Sequence, residues 1–270
     1  MTHSPFLSVA LDAARAAADV IRRYYQQNLA VTIKADKSPV TAADIETEHA
    51  IRSVIGERFP NHGFYGEETG KRGIDAEYLW LVDPIDGTKA FIREYPFFST
   101  QIALMHRGRL ILGVSSAPVY GELAYAQLPH SVSGYGPQPT AYRLAAALND
   151  HTISVSDIDS IESCAISAGN LKTLASGTRW ECYGQLVARA QRIRGYGDFL
   201  HYHLLASGKI DVVIESDVNI LDIAALAVIV EAAGGTFTDL DGSPIGLETT
   251  SALATNGKLH ERVLAALNRA

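Results

Sequence analysis

The chain has 270 residues, 47% hydrophobic and 20% charged, with 30 acidic against 23 basic side chains and a net charge of −7. That length accommodates one large domain or two packed halves, and the composition is ordinary for a soluble globular protein. The negative balance speaks against nucleic acid or an anionic membrane as partner; with no basic leader and no long uncharged apolar run, a cytoplasmic protein is expected.

Apolar residues at helical spacing (Leu7, Ala10, Leu11, Ala14, Ala17, Ala18, Ile21) predict an amphipathic helix over residues 6–28. A strand-like run at 31–33 is broken by Ser38-Pro39, and Thr41 or Asp44 can start a helix reaching about Phe59. After a turn at 60–63, residues 64–68 read as a brief strand delivering Glu67 and Glu68, and the polar stretch 69–78 as a loop. Residues 97–105, 109–117 and 121–127 alternate as antiparallel strands, and 128–140 reads as a flexible connection. Beyond residue 150, strands (152–155, 164–167, 192–196, 212–214, 236–239) alternate with helices (185–191, 199–207, 222–233, 257–270), the third helix stopped by Gly234-Gly235. A layered α/β sandwich follows, in two halves: residues 1–145 and 146–270. Cys164 and Cys182 fit reduced thiols better than a disulfide.

The most informative stretch is Trp80 to Phe91, WLVDPIDGTKAF. Trp80-Leu81-Val82 is the end of a buried strand, and Pro84, lacking an N–H, predicts a turn there. Asp83 and Asp86, three residues apart across that turn, can point into one small volume. Two like charges at close range disfavour joint ionisation unless a cation joins them, and hard oxygen donors without Cys or His favour Mg²⁺. Thr88 would open a short helix whose free N–H groups suit a phosphate. A plain Asp-Gly turn is the other reading of the same residues.

Asp83-Pro-Ile-Asp86-Gly-Thr88-x-x-Phe91, with Gly66-Glu67-Glu68 upstream and Asp222-Ile-Ala-Ala…Gly234-Gly235 downstream, resembles the inositol monophosphatase superfamily. The resemblance covers residues 6 to 265. It implies an αβαβα fold and a Mg²⁺-dependent, lithium-sensitive phosphomonoesterase that attacks a small-molecule phosphate ester with metal-activated water, commonly as a homodimer. Matched to the pattern, Glu67, Asp83, Asp86, Asp222 and the carbonyl of Ile85 fall on metal ligands. Asp44 and Thr88, with Glu67, fall on the catalytic group that orients water, and the N–H groups of Gly87 and Thr88 on the phosphate. Lys34 aligns near a lysine of the family's mobile loop, or is a solvated side chain. Physical alternatives stand beside two of these: Asp44 as a helix cap, and Asp222 as a first-turn acid favoured by the helix dipole. Leu221 replaces a tryptophan of the family pattern.

For the organic part of the substrate the resemblance points to Asp86, Arg194, Asp198 and Glu215. Gly197-Asp198-Phe199 followed by Val213-Ile-Glu215 is similar to the histidinol-phosphate phosphatase branch, and two extra acids suit a cationic leaving group. Arg194 would touch the acids or substrate, or make a structural ion pair; His201 and His203 read as exposed or packed helix residues. Inositol-1-phosphate is the alternative substrate, followed by adenosine-3′,5′-bisphosphate and sugar phosphates. A non-catalytic, metal-responsive binding protein is the alternative from another class.

Overall fold

In a computed structural model, residues 3–27, 30–33, 39–132 and 140–269 are described, without side chains at 130–132 and 140–144. Lys34, residues 133–139 of the expected connection and Ala270 lie outside them. In chain order the elements are α1 (Pro5–Tyr24), β1 (Thr32–Ile33), β2 (Pro39–Val40), α2 (Ala42–Arg58), β3 (Gly63–Gly66), β4 (Gly70–Arg72), β5 (Tyr78–Asp86), α3 (Thr88–Ile92), β6 (Ser99–His106), β7 (Arg109–Ala117), β8 (Glu122–Val132), β9 (Thr140–Leu148) and β10 (His151–Thr152). They continue with β11 (Ala165–Ala168), α4 (Lys172–Ser176), α5 (Arg179–Arg189), β12 (Arg192–Arg194), α6 (Asp198–Ala206), β13 (Val212–Ser216), α7 (Ile220–Ala232), β14 (Thr236–Thr238), β15 (Ser251–Thr255) and α8 (His260–Leu267).

The strands form a large sheet in the order β10-β9-β8-β7-β6-β5-β3-β4, a smaller one in the order β12-β11-β13-β15-β14, and the small β1-β2 pair. Helices α1 and α2 pack on one face of the large sheet, and α7 with α6 fills the space between the sheets. The far face of the small sheet carries α4, α5 and α8. This is the expected five-layer αβαβα sandwich. Its middle layer explains the composition of α7, in which Ile220, Leu221 and every residue from Ile223 to Val230 is buried, because an apolar surface all round requires cover all round. The first core runs from Leu79 to Ala254, so both halves of the chain share it, and β9 spans the expected boundary at residue 145.

Local chemistry accounts for most element ends. Ser4 caps α1, its hydroxyl accepting the Leu7 N–H at 3.1 Å, with Pro5 in the first turn where a missing N–H is harmless. At Pro84 the expected turn is absent: β5 continues to Asp86 through a bulge, its register against β6 shifting between Asp83 and Asp86. The Thr100 hydroxyl holds the Pro84 carbonyl at 2.8 Å and Asp83 takes the Ile85 N–H at 3.0 Å, so a strand that loses one donor kinks without ending.

Elements of the described residues that the sequence does not mark include β4, β9, β15 and α4. The polar β4 lies within the expected loop, and β15 is made mostly of small residues paired on both sides. The alanine-rich β9 is held by β8, which itself extends to Val132 into the expected connection. A two-residue turn, Asn149-Asp150, with both φ positive, then returns the chain into β10. Helix α4 is a single turn.

Where α7 crosses β7 the two backbones nearly touch, since a Cβ on Gly113 would lie 2.3 Å from the Ala225 carbonyl oxygen. Gly113→Ala is therefore expected to cost about 1–3 kcal/mol through overpacking. Thermal unfolding of the variant checks this, and an unchanged midpoint would contradict the close packing.

Candidate active site

Three carboxylates from distant parts of the chain meet. Oxygens of Asp83, Asp86 and Asp222 all lie within 4.8 Å of one another. The β5 bulge turns the first two to the same side, and the start of α7 brings the third. Glu67 follows β3, which runs parallel to β5 with Gly66 opposite Val82, so its carboxylate arrives beside Asp83 and shares a hydrogen bond with it. Asp83 is only 3% exposed, whereas Glu67, Asp86 and Asp222 keep part of their surface open to a ligand. Burial, followed by the Glu67 charge, holds the Asp83 carboxyl well above the usual carboxylate range. Burial and then Asp198 do the same to Asp86. Asp222 is pushed up to about 7, burial outweighing the Asn219 backbone N–H that favours its ionised form.

This donor set fits a hard divalent cation. The acids supply oxygen only and crowd one another, and Asp83, Asp86 and Asp222 are held away from their ionised forms by the burial and charge that a cation would compensate.

Beside the cluster stands Asp44, fully buried at the start of α2. Its Oδ2 accepts the Thr41 N–H at 2.8 Å and the Thr41 hydroxyl at 2.7 Å, which completes a capping box. Its Oδ1 lies 3.1 Å from the Thr88 hydroxyl, which is also 3.1 Å from the Ile85 carbonyl. With one proton, Thr88 donates to one of these at a time and keeps lone pairs for another donor. Asp222 repeats the device. It sits at the third position of α7, accepting the Asn219 N–H at 2.9 Å and the Asn219 side-chain amide at 2.7 Å. Asp44 is thus the helix cap of the alternative reading and also the partner of Thr88, while Asp222, expected as a first-turn acid, completes a cap as well and is one of the three clustered acids.

Gly87 turns the chain from β5 into α3 with φ 92°, and a Cβ there would lie 2.7 Å from the Phe97 carbonyl oxygen. Only glycine meets both conditions.

Asp198 opens α6 in the left-handed region with φ 46°, after Gly197 at φ 73°. It is half-buried, its charge raises the Asp86 carboxyl, and its own pKa is pushed up to about 6 by burial and by Glu215. His201 and Lys89 oppose that shift. Glu215, on β13, is 3% exposed and accepts from Tyr202 at 2.7 Å, from the Asn170 N–H at 3.1 Å, and lies 3.1 Å from His201 Nε2. Burial opposes its ionisation, but these partners more than offset it and leave the carboxyl below the usual range. Gly169 makes the room, since a Cβ there would fall 1.7 Å from Glu215 Oε1. The two histidines are packed, not exposed: His201 lies between Glu215 and Ser167, and His203 between Glu122 and Ser115. Arg194 is left out of this group. It is exposed on β12, with its guanidinium donating to the neighbouring Ile193 carbonyl.

One residue at the site escaped the sequence reading. Glu48, fully buried on α2, accepts the Glu68 N–H at 2.7 Å and the Thr69 N–H at 2.8 Å. Its signal was its spacing of four from Asp44, which puts both acids on one helix face.

The sequence matches the inositol monophosphatase family over residues 2–270. The chain belongs to the inositol monophosphatase family. Members similar to it include the histidinol-phosphatase of Mycobacterium tuberculosis, 37% identical over 269 residues that make up 99% of each chain. The inositol-1-monophosphatase of Synechocystis is 34% identical, over 84% of this chain and 76% of that one. Among solved structures, the extragenic suppressor protein suhB of Bartonella henselae superposes with a TM-score of 0.85 at 29% identity, covering 98% of this chain and 99% of the other. This member of the inositol monophosphatase family is a phosphoric monoester hydrolase. None of its described helices is long and apolar enough to cross a membrane.

The raised carboxyls have a stability consequence. Asp222 binds its proton more tightly folded, near 7, than unfolded, so its contribution is complete at low pH and is lost as pH rises through about 7. Asp83 and Asp86 act in the same direction. With divalent cations removed, the melting temperature is expected to fall from about pH 5 to about pH 8, and to fall less in Asp222→Asn. Parallel pH curves for the two proteins would show that the shift does not exist.

Proposed function

We propose that this phosphatase is Mg²⁺-dependent and that its preferred substrate is L-histidinol phosphate. The observation that carries the substrate is Asp198, a second acid set close enough to Asp86 to raise its pKa. Ionised above about pH 6, it gives the leaving-group end of the site a negative lining that suits an amine and an imidazole better than a neutral polyol. The histidinol-phosphatase of M. tuberculosis, matched from end to end, supports the same choice.

Glu67, Asp83, Asp86, Asp222 and the Ile85 carbonyl would hold the metal. Once bound, Mg²⁺ supplies positive charge to the phosphate and the departing alkoxide and makes water more acidic. The chain does the rest. Thr88, its proton given to Asp44, keeps a lone pair with which to accept from a water and fix its direction. Asp44 is itself fixed by the α2 cap, so the pair is set before substrate arrives. The N–H groups of Gly87 and Thr88, at the start of α3, receive phosphate oxygens. Glu215 acts from behind, holding His201 and Tyr202 in place beside Asp198.

A second reading, inositol-1-phosphate, has the Synechocystis relative in its favour. Phosphate release from histidinol phosphate, inositol-1-phosphate and adenosine-3′,5′-bisphosphate separates the substrates. Histidinol phosphate should be turned over fastest, and EDTA should abolish the activity; a faster reaction with inositol-1-phosphate would reverse the assignment. Asp83→Asn is expected to lose turnover while keeping its circular dichroism. Asp198→Asn should raise KM for histidinol phosphate about tenfold, roughly 1.4 kcal/mol, and leave inositol-1-phosphate nearly unaffected. An equal change for both substrates would remove Asp198 from specificity.

A further inference from the structure

The mechanism leaves Glu48 without a role, although it is a fully buried carboxylate. Its surroundings are built around it. Oε2 accepts the N–H of Glu68 at 2.7 Å and Oε1 the N–H of Thr69 at 2.8 Å, so both oxygens hold the backbone immediately after Glu67. On the other side of that residue, Gly66 lacks the side chain that would collide, since a Cβ there would lie 2.4 Å from the Glu48 carboxyl carbon. Glu67 itself donates its N–H to the Val82 carbonyl at 3.2 Å, one residue before Asp83. The Glu67 backbone is thus held by β5 at its own N–H and by α2 at the next two.

We propose that Glu48 is a positioning residue that fixes Glu67 against Asp83 and thereby sets the affinity of the site for its cation. The inference rests on the reading of Glu67 as a metal ligand. Glu48 stands one helical turn beyond Asp44, which holds Thr88, so a single helix face spaces the Glu67 side of the site from the water-orienting side. Both carboxylates are buried and are carried by one helix, α2, whose start is fixed by its capping box.

The test is a double-mutant cycle on Glu48→Gln and Glu67→Gln, read as the Mg²⁺ concentration for half-maximal activity and as the Mg²⁺-induced rise in melting temperature of the metal-free protein. The glutamine amide would turn an NH₂ towards one of the two N–H groups and break that bond. Each single variant should need about tenfold more Mg²⁺, and the double variant no more than Glu67→Gln alone, since both act through one ligand. A purely structural role would lower the melting temperature of Glu48→Gln without changing its Mg²⁺ requirement, or would make the two effects add; either result overturns the proposal. If Glu67→Gln itself leaves the Mg²⁺ requirement unchanged, the metal-ligand reading of Glu67 fails instead. Should Glu48→Gln not fold, Gly66→Ala displaces the same carboxylate with its charge intact. It must show the same raised Mg²⁺ requirement, and an unchanged requirement counts against the proposal.

Discussion

Buried negative charge at close quarters is the constraint on which this structure turns. Asp83, Asp86 and Asp222 come within 4.8 Å of one another in a place where burial already opposes ionisation, and Glu67 joins them. A fold gains nothing in stability from such a cluster: like charges in a poorly solvated site raise one another's pKa and make folding less favourable as pH rises. The arrangement is physically sensible for a protein that spends its working life with a cation there. A net charge of −7 makes the same point at the scale of the molecule, because an acidic surface handling an anionic ester needs a local source of positive charge.

The scaffold holds these acids with devices that are themselves ordinary. Asp44 and Asp222 both occupy the third position of a helix and both complete a capping box, with Thr41 and with Asn219. One carboxylate therefore stabilises a helix start and faces the site. The bulge in β5, made where Pro84 withdraws a donor, is what puts Asp83 and Asp86 on one side of a strand that would otherwise alternate. Helix α7, apolar on all faces, is locked between two sheets and carries Asp222 at the end that reaches the cluster.

Much of this was legible in the residues. Caps, the Asp-Pro-Ile-Asp-Gly-Thr stretch and the Gly234-Gly235 stop are local signals, and local signals mark element ends well. The sequence could not announce features that exist only through partners. Strand β9 is alanine-rich and is a strand because β8 lies alongside it; β15, mostly of small residues, is held from both sides. Pro84 read as a turn because its missing N–H is a local fact, whereas the Thr100 hydroxyl that keeps its carbonyl in the sheet comes from another strand. Glu48 gave no reading in the sequence and His201 read as an exposed or packed helix residue, and only the packing shows what each one holds.

The substrate pocket was the least legible part, since Asp198 and Glu215 differ in environment in ways spacing does not encode. Asp198 sits half-open in a left-handed conformation beside Asp86, while Glu215 is saturated by Tyr202, His201 and Asn170. Arg194, equally prominent in the sequence, turns back to its own strand.

The central claim, that the scattered acids form one cation site, is tested most directly by diffraction from crystals soaked in Mn²⁺ as an anomalous stand-in for Mg²⁺. The account predicts an anomalous peak bonded to Asp83, Asp86 and Asp222, lost in Asp83→Asn crystals. Mn²⁺ bound only elsewhere, with those three carboxylates left without metal, would contradict it.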